Sequence, residues 1–163
     1  MTVGVRVAET ESEREDALSV RFEVFVEEQG VPEDLEVDGE DDEAIHFVGY
    51  ESAESNAEAT ESNEEPADVS SRRPVAAGRL REVGDDAGKV ERIAVVEDRR
   101  GEGVGRAIMD ELEATAAERG LSTLVMHAQR PVEEFYRKLG YETTSDVFEE
   151  AGIPHVEMEK SLD

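Results

Sequence analysis

Residues 99–105 read Arg-Arg-Gly-Glu-Gly-Val-Gly, two guanidiniums and three glycines between a strand-like run at 90–96 and a helix-like stretch. A glycine-rich turn entering a helix presents unpaired backbone N–H groups and the positive end of the helix dipole. Glycines also let a ligand approach the backbone closely. The amides of Gly101, Glu102, Gly103, Val104, Gly105 and Arg106 would face an anion, and Arg99 and Arg100 could add charge-assisted bonds. The implied ligand carries phosphate. Two common phosphate-binding patterns fail on the letters. A dinucleotide fingerprint starting at Gly101 and Gly103 needs a third glycine where Arg106 stands. The Gly-Lys-Ser/Thr of a P-loop does not occur. What fits is Arg-x-x-Gly-x-Gly, read as Arg100, Gly103 and Gly105. With no cysteine, the chain has no cysteine nucleophile, disulfide or thiolate zinc site. His46, His127 and His155 are far apart and lack i, i+4 spacing, so no metal is expected.

Positioning that turn requires a strand before it and a helix after it. Hydrophobic patterning supplies both, with strands over 74–83 and 88–96 joined at Asp-Asp-Ala-Gly. A helix over 103–119 turns Val104, Ile108, Leu112 and Ala116 inward, and Gly120 suits the position just past its end. Residues 3–7 read as a strand and 11–29 as a helix with Leu18, Phe22 and Phe25 on one face, stopped by Gly30, Val31 and Pro32. Residues 32–43 form an acidic loop and 44–51 a short strand. Residues 52–72 are rich in Ser, Glu, Ala and Asn, too polar to offset their ordering entropy, and are expected to be a disordered acidic loop insertion. A buried strand follows at 121–128. Pro131 opens a helix reaching about Leu139 that Gly140 ends, and closing strands lie near 142–147 and 154–160. The alternation implies an α/β mixed sheet within a single domain spanning 1–163.

Charge narrows the partners. Asp and Glu number 43 against 17 Lys and Arg, a net −26, and only Lys89, Lys138 and Lys160 are lysines. Such a surface argues against nucleic acid and suits a salt-rich cytoplasm, as in halophiles, where like charges are screened. From Glu27 to Ser71 there are 17 acids and no Lys or Arg, whereas Lys89 to Arg106 holds five cations against four acids. The proposed phosphate turn is thus locally cationic. No run of about 18 apolar residues exists, so no membrane span is expected. The N-terminal residues lack a signal-peptide pattern, and a cytoplasmic location is expected.

A second motif makes the case more specific. Residues 127–141 read His-Ala-Gln-Arg-Pro-Val-Glu-Glu-Phe-Tyr-Arg-Lys-Leu-Gly-Tyr. Together with Arg100, Gly103 and Gly105, the run Phe135, Tyr136, Lys138, Gly140, Tyr141 resembles the GNAT superfamily of N-acetyltransferases. Residues 24–32 and 151–160 resemble one small prokaryotic branch of it. The resemblance implies a mostly antiparallel central sheet flanked by helices, with acetyl-CoA as acetyl donor, no metal, and direct attack by a primary amine. It implies that the backbone of Ile93, Ala94 and Val95 pairs with the pantetheine arm, a β-augmentation by ligand. It places Gln129 where many members carry an asparagine that contacts that arm. It makes Tyr136 the general acid that protonates the departing thiolate, a role suited to a phenol that is a donor at neutral pH. Glu91 is a candidate base, with His46, His127 and His155 beside it. Residues 33–43 would lie at the acceptor entrance. The acceptor stays open between a small-molecule amine and a protein amine, and the oligomeric state between monomer and homodimer. The alternative is a non-catalytic acyl-CoA-binding regulatory module on the same fold.

Overall fold

A computed structural model describes residues 2–33, 44–52 and 73–162. The acidic residues 34–43 and, apart from Ser52, the expected acidic insertion at 52–72 lie outside the described residues. Eight strands form one sheet in the order β1-β2-β3-β4-β5-β8-β6, with β7 also on β8. They are β1 (Thr2–Val7), β2 (Ile45–Ser52), β3 (Arg73–Glu82), β4 (Ala87–Val95), β5 (Thr123–Gln129), β6 (Glu142–Thr143), β7 (Phe148–Glu150) and β8 (Ile153–Ser161). Every pairing is antiparallel except β4 with β5. That one parallel pair is possible because a helix, α2 (Val104–Glu118), carries the chain back between them.

Helix α1 (Glu11–Arg21) opens with a capping box. The Thr10 hydroxyl accepts from the Glu13 amide at 3.1 Å and the Glu13 carboxylate from the Thr10 amide at 3.3 Å. The helix continues as a π-helical segment, Phe22–Glu28. Its buried stripe is Ala17, Val20, Arg21 and Val24; of the expected Leu18, Phe22 and Phe25, Phe25 packs partly buried against the core, Leu18 is half-buried and Phe22 is 38% exposed. A fully buried arginine stands in the apolar stripe, so a search for large apolar residues picks the neighbouring face. Both α1 and α2 pack on β3, whose residues 75–80 are buried without alternation, so each face of the sheet is covered.

On α2 the inward residues are the four expected, with Met109 added. Gly120 follows at φ +84°, a conformation that suits glycine. Helix α3 (Glu133–Lys138) is entered through a 3₁₀ turn, Arg130–Val132, that holds Pro131. The closing region departs from the expected strand at 142–147. Only Glu142 and Thr143 pair there, and the next strand is Phe148–Glu150. The described chain therefore has a mixed α/β fold, with a mostly antiparallel sheet flanked by helices.

Candidate active site

The parallel pairing of β4 with β5 runs from Ala87 opposite Thr123 to Val90 opposite Met126, and stops. Beyond that point β4 continues to Val95 bonded only to β3, and β5 continues to Gln129 bonded only to β8. The two strands diverge, leaving a wedge in the sheet. A bulge drives the divergence. Ala77 pairs with Ala94 and Arg79 with Glu91, so Arg92 and Ile93 together oppose the single Gly78. Arg92 adopts φ +61°, a left-handed conformation that costs an ordinary residue roughly 1–2 kcal/mol. Gly78 leaves room for the bulge, because a Cβ would lie 2.9 Å from Ile93 Cδ1 and 3.1 Å from Ile108 Cγ2 and those side chains would have to shift. The edge of residues 91–95 that faces the wedge thus has no strand partner among the described residues, which leaves backbone amides for an extended ligand.

The glycine turn closes one end of the wedge. A 3₁₀ turn, Glu97–Arg99, leads into Gly101 at φ +79° and Gly103 at φ +87°, the N-cap of α2. A Cβ at either glycine would meet nothing within 4 Å. Their surroundings are open, and the requirement is conformational. No side chain caps the helix, and its first backbone bond runs from the Ala107 amide to the Gly103 carbonyl. The amides of Val104, Gly105 and Arg106 are therefore unpaired among the described residues, as an anion site needs.

The arginines behave otherwise than expected. Arg99 donates to Glu51 at 2.6 Å, and Arg100 forks onto both Glu28 oxygens at 2.7 Å while its Nε donates to the Val95 carbonyl at 2.8 Å. The hydrogen bond from Arg100 holds the Glu28 carboxyl below its ordinary pKa. Carboxylates from β2 and the π-helical segment thus neutralise Arg99 and Arg100. Arg106 makes no ion pair with the described residues and is an exposed cation at the helix start. Gln129, at the end of β5, has its amide nitrogen 2.9 Å from the Gln29 side-chain oxygen. The end of the π-helical segment consequently touches both sides of the wedge, through Glu28 and Gln29. Sequence reasoning did not pick out these two residues, whose partners lie 72 and 100 positions away.

Tyr136 sits on α3 and is 6% exposed, with its ring edge-on to Phe135 at 4.9 Å and Tyr141 at 6.0 Å. Phe135 joins α3 to the glycine turn, since a methyl on Gly105 would lie 3.3 Å from its Cζ. Burial pushes the Tyr136 hydroxyl well above the ordinary phenol range, so it stays protonated. It has no hydrogen-bond partner among the described residues.

Glu91 is unsuited to the base role expected of it. Its carboxylate takes bonds from Arg79 (2.6 and 2.9 Å) and Arg81 (2.8 and 3.1 Å), with Lys89 at 3.4 Å. Burial acts to raise its pKa, but the Arg81 hydrogen bonds and the Arg79 charge outweigh it and bring it down to about 2. A base must take up a proton near working pH, and this carboxylate resists one. Glu91 is instead the anion that allows Arg81 and Lys89 to stand opposite each other across β3 and β4. His46 is buried on β2 opposite Arg79. His155 is buried, with Nδ1 2.7 Å from the Ile153 carbonyl. His127 is partly exposed on β5, with Nδ1 2.9 Å from Glu150. Among the described residues no cluster of His, Asp and Glu has metal-binding geometry. Among these residues no helix is long and apolar enough to cross a membrane.

A sheet that opens beside a glycine turn at a helix start, with a buried tyrosine on the following helix, defines an acetyltransferase scaffold of the GNAT kind. The chain belongs to that family: the family model described as Acetyltransferase (GNAT) domain matches residues 26–162. Among its relatives, the uncharacterized N-acetyltransferase YjcF of Bacillus subtilis (strain 168) is 39% identical over 155 residues, 94% of this chain and 96% of YjcF. The crystal structure of Escherichia coli ElaA superposes with a TM-score of 0.76 at 25% identity, covering 98% of this chain and 99% of ElaA. An aminoglycoside 6'-N-acetyltransferase solved in complex with coenzyme A shares the fold, at TM-score 0.67 and 15% identity over 100% of this chain and 98% of that one.

Proposed function

We propose that the chain is an acetyl-CoA-dependent N-acetyltransferase that moves an acetyl group to a primary amine by direct attack. The observation that carries the reading is the wedge: a β4 edge, residues 91–95, running into helix-start amides, both without a partner among the described residues. An extended pantetheine arm needs the first and a pyrophosphate needs the second. The coenzyme A complex of a protein with this fold supports the choice of donor. Ile93, Ala94 and Val95 would hold the arm, the amides of residues 101–106 the phosphates, and Gln129 the far wall. Bound acetyl-CoA supplies the activated thioester carbonyl. The chain's part is to align an amine with it, offer strand amides to the developing oxyanion, and return a proton to sulfur from Tyr136. Burial suits Tyr136 to that role by keeping the phenol protonated until a thiolate appears. The acceptor is a small-molecule or protein amine. The net charge of −26 fits work in a salt-rich cytoplasm.

The test is a thermal melt in about 2 M KCl, where surface charge is screened, with acetyl-CoA and with free CoA. Saturation at 100 times Kd is expected to add about 2.7 kcal/mol of stability and a matching rise in Tm. No rise with either ligand, in folded protein, would rule the reading out.

A further inference from the structure

The β7–β8 hairpin builds a second cluster of titratable groups on the far side of the wedge. Two turn residues, Ala151 at φ +54° and Gly152 at φ +77°, join the strands. Positive φ at both central positions is the tight turn that matches strand twist. It fixes Phe148 opposite His155 and Glu150 opposite Ile153. On the other edge of β8, Glu157 pairs with His127 and His155 with Gln129. Glu150 reaches across β8 to His127, bringing its Oε1 2.9 Å from Nδ1. The Phe148 ring braces the histidine edge-on at 5.0 Å and stacks on His155 at 6.1 Å.

This contact sets the histidine tautomer. An ionised carboxylate only accepts, so Nδ1 carries the hydrogen and Nε2 of the neutral ring keeps its lone pair. Nε2 has no hydrogen bond among the described residues. Its nearest charged neighbour is Glu157 Oε2 at 4.0 Å, while Glu157 Oε1 is held by the Thr144 hydroxyl at 3.0 Å. A nitrogen placed about 2.9 Å from both Nε2 and Oε2 would see them at an angle of about 90°. A primary ammonium, with several N–H bonds, can satisfy both at once. The place is also right. His127 is the first β5 residue past Met126, the last to pair with β4, so it stands where the wedge begins to open. Its side chain is 31% exposed, enough for an acceptor to reach.

We propose that His127 is the catalytic base of this site, with Glu150 as its positioning residue and Glu157 as the carboxylate that holds the acceptor ammonium. The proposal rests on the acetyltransferase reading above. His127 Nε2 takes one proton from the bound ammonium and frees the nitrogen lone pair. The nitrogen bonds to the acetyl carbon, and the C–S bond breaks with its electron pair going to sulfur. Tyr136 gives its proton to that thiolate, and the second amine proton, shed as the amide forms, restores the phenol through solvent. The imidazolium then releases its proton to water. The balance is ammonium plus thioester to amide, thiol and one proton. Glu91, held by three cations, takes no part.

Two measurements test it. The first needs no turnover: long-range ¹H–¹⁵N NMR of the full chain reads which His127 nitrogen is protonated. Hydrogen on Nδ1 is expected, with the signature lost in Glu150→Gln; hydrogen on Nε2 in the neutral ring overturns the proposal. The second measures thiol release with acetyl-CoA and putrescine, glycinamide or kanamycin. His127→Ala is expected to lose about 10²–10⁴-fold in kcat, to bind free CoA as wild type does, and to regain turnover with added imidazole. Glu150→Gln should lower kcat with little change in KM, and Glu157→Gln should raise KM. A His127→Ala protein within threefold of wild-type kcat overturns the assignment. Failure of the acetyltransferase reading looks different: wild type releases no thiol with any of the amines and melts unchanged with CoA, whichever tautomer is found. That result removes the reaction, and the role with it.

Discussion

Replacing Glu91 by glutamine separates an ion-network role from a base role. The carboxylate is 9% exposed and lies among Arg79, which is fully buried, Arg81 and Lys89. Its pKa falls from 4.5 to about 2 on folding. At about 1.4 kcal/mol per unit, that drop corresponds to roughly 3 kcal/mol of stability at neutral pH. Removing one member of a buried pair costs about 3–5 kcal/mol by general experience, which agrees. In a chain of this size about 1 kcal/mol moves Tm by roughly 2–4 °C, so Glu91→Gln should melt roughly 6–20 °C lower at pH 7. The sign with pH follows from the depressed pKa. The contribution is complete above about pH 4.5 and is lost as pH falls toward 2, so the gap to wild type should close over that window. Circular-dichroism melts of both proteins between pH 3 and 7, at fixed high salt, measure it. Turnover per folded molecule should stay within a few-fold of wild type. A variant that melts within 2 °C of wild type yet loses a hundredfold in kcat would refute the ion-network argument and restore Glu91 as a base.

Three further outcomes are expected. Tyr136→Phe should lower kcat at least tenfold while leaving free-CoA affinity within twofold and Tm nearly unchanged, because the hydroxyl has no hydrogen bond among the described residues to lose; calorimetry and steady-state kinetics on one preparation check this. Glu28→Gln should release Arg100 from its carboxylate fork and tighten CoA several-fold in dilute buffer, with a stability cost below about 1 kcal/mol for so exposed a pair; unchanged affinity would mean that Arg100 does not reach the phosphates. Raising KCl from dilute buffer to about 2 M should raise Tm, since screening at that strength acts within about 3 Å or less; a flat or falling Tm would remove the salt-adaptation reading.

What could be read from the letters was what is local. The glycine turn, the α2 stripe of Val104, Ile108, Leu112 and Ala116, and the stops at Gly120 and Gly140 are each set within a few residues. The structure has them where the sequence analysis expects them. The mixed α/β class followed from the order of those elements. The face of α1 was misread because Arg21 takes an apolar position in the buried stripe and the helix relaxes into a π-helical segment. The strand expected at 142–147 was misplaced because β6 and β7 are short and defined by pairing with β8 rather than by their own pattern, whereas β8 covers the expected 154–160.

The sequence by itself determined a glycine turn at a helix start, a large excess of acidic residues, and a tyrosine on the helix after β5. Each depends on backbone conformation or composition, which neighbouring residues set. Only the tertiary structure decided that β4 and β5 part after Val90 and Met126, that Glu28 and Glu51 occupy the arginines of the turn, that three cations bind Glu91, and that Glu150 and Glu157 flank His127. Those partners lie in different elements, brought together by strand register and helix packing. A carboxylate's proton affinity, or an arginine's freedom to meet a phosphate, depends on what stands within a few ångströms, and distance along the chain carries no record of that.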